Sequence, residues 1–339
     1  MEDEKKLYPF RICTILDEYE WGQDEFKIAD LGYRDTLIRD GWLAGNTLSE
    51  LMDTYLDRVV GDNVFSFYGR QFPVQVKYIH VKGRMPLRVH PDDETASQRY
   101  DLLGREKLWY VAKAGRNARL MLGFKEDTDA EKVYSRCLDN TVEDLLNVFE
   151  VREGQCFHIA PGVPHAANGD LLIIEVSESS PLDFCMCGWG KEVSEEEFDP
   201  SLSLVDALDF IDYRKYEGEL TEEKSGPLRK IIGIPQFSVA KVYADDPLKV
   251  SAENFDSFTL YNCIQGSASV QMDILGQKAC YEIKEGETLL IPSECPDFVL
   301  APLQKGTRLL EITLPDCHET DPYINPDVPA TPANDNYPS

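Results

Sequence analysis

Positive charge is scarce in this chain: Lys and Arg number 34 against 61 Asp and Glu, a formal charge of −27. A surface of that sign repels phosphate backbones and anionic lipid, which excludes nucleic acid and membrane as main partners. An anionic small molecule fits only where a local group of cations gathers. Long apolar runs are missing too, and none approaches the ~18 residues of a membrane span. Met1-Glu2-Asp3-Glu4-Lys5-Lys6 lacks the apolar stretch of a signal peptide. The nine cysteines are odd in number and scattered through strand-like segments, which predicts reduced thiols in a cytoplasmic protein. Core material, by contrast, is ample. Of the 339 residues 42% are hydrophobic and 28% charged, so the bulk is folded, and the length fits two or three domains.

Thr47 and Glu50 are spaced as a capping box, and Leu48, Leu51, Met52, Tyr55, Leu56 and Val59 form one apolar helical stripe that Gly61 ends. From Phe72 the pattern turns to short strand-like runs, such as Val74-Gln75-Val76-Lys77-Tyr78-Ile79 and Leu171-Leu172-Ile173-Ile174-Glu175-Val176. Helical stretches are expected at 129–137, at 142–149 with Thr141 as cap, and at about 204–211, bridging to a second strand-rich block at 230–315. Residues 316–339 are rich in Pro, Asn and Asp and predict an extended tail.

The two strand-rich blocks resemble each other. The run from Gly154 to His165 aligns with that from Gly286 to Asp297, and Trp109 to Gly115 with Leu260 to Gly266. The interval between the paired glycines is nearly twice as long in the first copy, and the helical pair accounts for the excess as an insertion. Duplicated short strands with glycine turns imply two β-barrels or sandwiches. The expectation is an all-β protein: a barrel at 1–215 with a helical insertion at about 127–150 and the bridging helix at about 204–211, a smaller barrel at 216–315, and the tail.

Gly154-Gln155-Cys156-Phe157-His158-Ile159-Ala160-Pro161-Gly162-Val163-Pro164-His165 resembles the second motif of the cupin barrel, whose turn delivers a histidine into the barrel mouth. In the second copy Glu294 stands for the glycine and Asp297 for the histidine, so that mouth is expected to be blind. Arg88 and His90, two apart on one strand, share a face. With Tyr19-Glu20-Trp21-Gly22, Gly41-Trp42-Leu43-Ala44-Gly45-Asn46-Thr47-Leu48-Ser49-Glu50-Leu51, residues 72–77, Val89-His90-Pro91-Asp92-Asp93-Glu94 and Trp109-Tyr110, the chain resembles class I mannose-6-phosphate isomerases of the short bacterial type over about residues 8–315. The resemblance implies a bicupin, built of two jelly-roll barrels, that interconverts an aldose phosphate and its ketose phosphate with zinc as cofactor.

Members of that family are similar in holding zinc with Gln-x-His, a Glu in a G-K-T-E-x-W-Y segment and the turn histidine. His90 and His165 match as metal ligands. Arg88 stands in place of the Gln and Lys107 in place of the Glu, and Glu106 reaches the ion position only if a β-bulge turns it inward. The family's lysine is Arg105 here, and Lys191 in Trp189-Gly190-Lys191 replaces its arginine; both are candidate catalytic residues. A charged lysine or arginine cannot coordinate zinc and repels it, so the substitutions argue against a complete metal site. Arg88 and Lys107 become candidate substrate-binding residues for a sugar phosphate or another anionic sugar. The alternative to an isomerase is a non-catalytic relative that binds such a sugar through these two cations. The plainer reading pairs Arg88 and Lys107 with Asp92, Asp93 or Glu106, leaves Lys191 solvated, and makes the acidic run at 194–199 a solvated linker. His80, His158 and His318 match no motif position.

Overall fold

The computed structural model describes residues 5–193, 195, 197–222, 225–251 and 256–315; the expected tail and His318 lie outside these residues. Strand accounts for 43% and helix for 15%. The strands form two antiparallel barrels. In the first, a seven-stranded sheet runs in the order Glu219–Leu220, Cys156–Ile159, Lys107–Ala114, Leu171–Glu178, Val74–Val81, Gly22–Ile28, Ile15–Tyr19. It closes on a five-stranded sheet ordered Phe184–Cys187, Leu87–Val89, His165–Asn168, Arg119–Phe124, Leu146–Glu150. Ile79, Trp109 and Ile173 from the larger sheet share a core with Leu120, Leu122 and Ala167 from the smaller.

The second barrel repeats the plan with six strands (Phe10–Arg11, Thr288–Ile291, Thr259–Gln265, Thr307–Thr313, Phe237–Ala244, Leu228–Ile234) and four (Leu248–Val250, Phe298–Pro302, Ser267–Ile274, Gln277–Lys284). The expected bicupin is what the chain forms. The two larger sheets also pack on each other: Val74, Val76, Leu108, Ile174 and Val176 join Val239, Leu260, Leu290, Leu310 and Ile312 in one core. Strands covered on both faces read as continuous apolar runs, which is the pattern of Leu171–Glu178. The barrels also trade segments. Phe10 pairs with Leu290 of the second barrel, and Glu219 pairs with Phe157 of the first.

The helix Leu48–Tyr55 carries the expected capping box. It is shorter than its stripe, because Leu56 turns to φ +50° and the chain restarts as Asp57–Val60 and Asp62–Tyr68. The stretch at 142–149 is not a helix. A single 3-10 turn, Val142–Leu145, leads into the strand Leu146–Glu150, which pairs with Arg119–Phe124. Thr141 makes no side-chain cap there, whereas Asp129 does cap Ala130–Leu138. The bridging helix is one turn, Leu204–Ala207, started by Ser203.

Hydrogen bonding corrects the alignment of the two copies. Val111 exchanges bonds with Gln155 and Gly154 as Cys263 does with Glu287 and Gly286. Counting back along each strand, Lys107 corresponds to Thr259 and Trp109 to Tyr261, one residue off the glycine-based match. At the other motif, His165 lies opposite Arg88 and Leu122, and Phe298 lies opposite Val250 and Met272. Phe298 meets Tyr261 edge-on (6.3 Å, 84°) as His165 meets Trp109 (5.4 Å, 80°). Phe298, not Asp297, therefore holds the histidine's place. Asp297 is exposed and accepts a bond from Ser251 Oγ.

Candidate functional site

The interior of the first barrel is polar where the two sheets meet. Alternation along the seven-stranded sheet sends Asp24, Lys77, Glu175, Trp109 and Lys107 inward from four neighbouring strands. From the opposite sheet come Arg88 and His165, directly paired in register, with His90 and Asp183 just beyond the strand ends. Arg105 precedes its strand and is buried; the adjoining Gly104 lies so close to Asp92 that a Cβ would sit 2.3 Å from its carbonyl carbon.

These groups form one connected ion-pair cluster. Lys77 Nζ lies 3.2 Å from both Asp24 and Glu175. Arg105 bridges Glu175 (3.1 Å) and Asp183 (3.7 Å), and Lys107 Nζ is 3.2 Å from Asp183 and 4.0 Å from Glu175. Arg88 reaches Asp183 at 3.3 Å and Glu197 at 2.6 Å. With Lys107 protonated, four cations (Lys77, Arg88, Arg105, Lys107) balance four carboxylates (Asp24, Glu175, Asp183, Glu197). The cationic pocket that the sequence predicts is a neutral cluster. Its carboxylates are neither Asp92 and Asp93, which cap or brace the helix Asp93–Tyr100, nor Glu106.

The electrostatics follow from this packing. The surrounding cations hold Glu175 and Asp183 well below the usual carboxylate range despite their burial. Burial, with the charge of Arg105, pushes Lys107 down to about 7. Burial, with Lys107 nearby, holds His90 and His165 well below the ordinary histidine value, so both rings are neutral. His165 Nδ1 lies 3.0 Å from the Val163 carbonyl and Nε2 lies 3.0 Å from Lys107 Nζ. The consistent tautomer donates from Nδ1–H and accepts the lysine proton at Nε2. The His90 ring sits 5.2 Å from that of His165, and neither of its nitrogens has a hydrogen-bond partner.

A four-ligand zinc site does not fit this donor set. The His165 nitrogens are both engaged, and Lys107 presents its ammonium to the one that would otherwise be free to coordinate. Among the described residues no three His, Cys, Asp or Glu side chains come together to hold a metal. Glu106 follows regular strand register, faces away from the cluster and bonds His158 at 2.7 Å. Lys191 is also outside the cluster: it pairs with Glu20 on the surface, at the rim of a cavity of about 240 Å3. Tyr19, Trp21, Arg84 and Glu197 also line that cavity.

Comparison with known proteins agrees with this frame. No family model matches the chain. The putative mannose-6-phosphate isomerase YvyI of Bacillus subtilis is 24% identical over 281 residues, covering 81% of this chain and 84% of that protein. The mannose-6-phosphate isomerase ManA of the same organism is 22% identical over 270 residues, 78% and 82% of the two chains. Over about four-fifths of its length this chain is thus similar to proteins named mannose-6-phosphate isomerase. The crystal structure of the Bacillus subtilis mannose 6-phosphate isomerase superposes with a TM-score of 0.77 at 19% identity, over 91% of this chain and 99% of that one. A zinc-bound mannose 6-phosphate isomerase gives 0.70 at 12%, over 90% and 99%. Within the isomerase frame, the sequence pointed to His90, His165, Arg88, Lys107 and Arg105, and the fold brings these five together. It missed Lys77, Glu175, Asp183, Asp24 and Glu197. Lone charges inside the apolar runs at 74–79 and 171–176 were the available signal for Lys77 and Glu175. Glu197, on the expected solvated linker, instead has its carboxylate turned inward.

Proposed function

We propose that the protein is a sugar-phosphate isomerase that takes a hexose 6-phosphate into the first barrel and interconverts aldose and ketose without bound zinc. The observation that carries this reading is the persistence of His90 and His165 side by side in a barrel whose relatives are mannose-6-phosphate isomerases. The reaction moves a proton from C2 of the aldose to C1 through an enediolate, while the O2 hydroxyl proton is transferred to O1. It needs a base beside the two carbons and an electrophile at their oxygens. His90, neutral and with both nitrogens unengaged, has the chemistry of the base. Lys107 has the chemistry of the electrophile, as a hydrogen-bond donor in a dry interior, and Arg88 that of a partner for the substrate's anionic group. Arg105 positions Glu175 and Asp183 around them, and Lys191 meets the substrate at the cavity rim.

The described cysteines are free thiols, which supports a cytoplasmic setting, and no helix among the described residues is long and apolar enough to cross a membrane. The test is conversion of mannose 6-phosphate to fructose 6-phosphate, with and without a chelator. Turnover that survives the chelator and falls at least ~100-fold in His90→Ala is the expected result. Failure to isomerise any hexose 6-phosphate would overturn the reading.

A further inference from the structure

Arg88 and Trp21 converge on a single carboxylate oxygen. Arg88 Nη2 donates to Glu197 Oε1 at 2.6 Å, and the Trp21 indole Nε1–H donates to the same atom at 2.7 Å. The guanidinium is flanked by two rings, with Phe198 at 4.7 Å and Trp21 at 5.7 Å from its carbon. This is a built oxyanion receptor: a charged fork and a neutral donor, preoriented by stacking and nearly closed to water. Its occupant belongs to the protein itself. Glu197 reaches Arg88 across 109 positions of sequence and Trp21 across 176.

The cavity lined by Tyr19, Trp21, Arg84, Lys191 and Glu197 opens onto this contact. A ligand in that cavity therefore meets Glu197 before it meets Arg88. The charge balance of the cluster sets the terms of binding. Adding an anion to a neutral, buried group of charges leaves one charge uncompensated, which is costly. Exchanging the Glu197 carboxylate for a ligand's carboxylate keeps the balance, and exchanging it for a phosphate adds at most about one negative charge, less than adding the whole anion would.

We propose that the Arg88–Trp21 pair is an oxyanion subsite, for the phosphate or carboxylate of a sugar ligand, which Glu197 occupies in cis and which the ligand enters by displacing it. The proposal rests on the sugar-phosphate reading for the identity of the ligand, and on geometry alone for the exchange.

The test compares the unaltered protein with Glu197→Gln, which keeps the side chain's length and removes its charge. Calorimetric titration with inorganic phosphate, mannose 6-phosphate, gluconate and mannose separates the sources of the anion. In Glu197→Gln the oxyanion ligands should bind about tenfold tighter or more, as expected when a charged hydrogen-bonding competitor is removed. Mannose should gain nothing, and added salt should shrink the gain. A gain for phosphate compounds alone assigns the site to phosphate; a gain shared by gluconate assigns it to oxyanions generally. Glu197→Ala provides a second route to the same vacated pair. The double variant Arg88→Met with Glu197→Gln keeps the cluster neutral and should lose the gain. Equal affinity in all variants would overturn the proposal. Isomerase turnover with no gain in Glu197→Gln or Glu197→Ala would overturn it too and leave the isomerase reading standing. A gain in a protein that isomerises nothing would do the reverse.

Discussion

Glu175 and Glu311 occupy equivalent places in the two barrels and meet opposite fates. Each lies opposite an aromatic residue on the neighbouring strand and accepts its hydrogen bond at 2.7 Å, from Trp109 Nε1 in one case and Tyr261 OH in the other. Both are buried. Around Glu175 stand Lys77, Arg105 and Lys107, and its carboxyl is held well below the usual range. Around Glu311 burial dominates, and its carboxyl is pushed up. Thr259, Val250 and Phe298 take the places of Lys107, Arg88 and His165. One scaffold has thus been filled once with charge and once with apolar matter, so the barrel itself dictates neither. The difference lies in whether cations and carboxylates come as a matched set.

The matched set can be broken from either side. Glu175→Gln leaves Lys77 and Arg105 each short of a partner in a water-excluded interior, and should cost about 3–5 kcal/mol. Glu311→Gln keeps an acceptor for Tyr261 and strands no charge, and should cost under ~1 kcal/mol. Urea unfolding followed by circular dichroism, which reports both barrels, measures the two losses. Equal losses in the two variants would break the contrast.

A second experiment converts one kind of interior into another. Arg88→Gln with Lys107→Glu restores a four-ligand set around His90 and His165, but it also removes two cations from beside Asp183, Glu175 and Glu197. The variant should therefore be unstable without metal and regain about 2.7 kcal/mol at zinc concentrations a hundredfold above its dissociation constant. The unaltered protein should carry far less than one zinc per chain, with a melting temperature indifferent to chelators. Near-stoichiometric zinc by elemental analysis would refute the claim that the salt-bridge cluster replaces the metal.

The extent to which this was legible beforehand follows the range of the interactions involved. The barrels could be read because duplicated glycine turns are local, and the helix cap at Thr47 because capping spans three residues. His90, His165, Arg88, Arg105 and Lys107 could be read because they sit in motif positions. Their carboxylate partners could not, because Asp183 and Glu197 lie 76 and 109 positions from Lys107 and Arg88. The strand at 146–150 reads as helix because a short segment with three apolar residues, Leu146, Val148 and Phe149, is too brief to settle the period. The one-residue slip between copies arose because glycines were aligned where only hydrogen-bond register fixes which side chains face inward.

Acid should separate the barrels by sign. Glu175 and Asp183 have lowered folded pKa values, so their stabilisation is full above the unfolded value of about 4 and is lost as pH falls through the folded values. Glu311 is raised, so its contribution is full below about 4 and is lost as pH rises through its folded value. Each such group contributes a slope of up to about 1.4 kcal/mol per pH unit across its window. Glu175→Gln should flatten the loss of stability on the acid side, and Glu311→Gln should flatten the opposing decline just above pH 4. Identical pH profiles for the two variants would mean that the cations around Glu175 do not set its charge.

The smallest expected effect tests the register on which the whole comparison depends. By motif alone Asp297 stands where His165 does, and a carboxylate there would point into the second barrel. By strand pairing Phe298 fills that place, buried against Tyr261, and Asp297 faces solvent beside Ser251. Asp297→Ala should therefore shift stability by no more than about 0.5 kcal/mol, as exposed substitutions do, and leave sugar-phosphate binding unchanged. A shift of several kcal/mol, the size expected for a side chain in the core, would mean that the strand sits one residue away from the register described. Such a slip exchanges every inward and outward side chain along it. Asp297 would then be the second barrel's counterpart of His165, and that barrel's interior would hold a charge of its own.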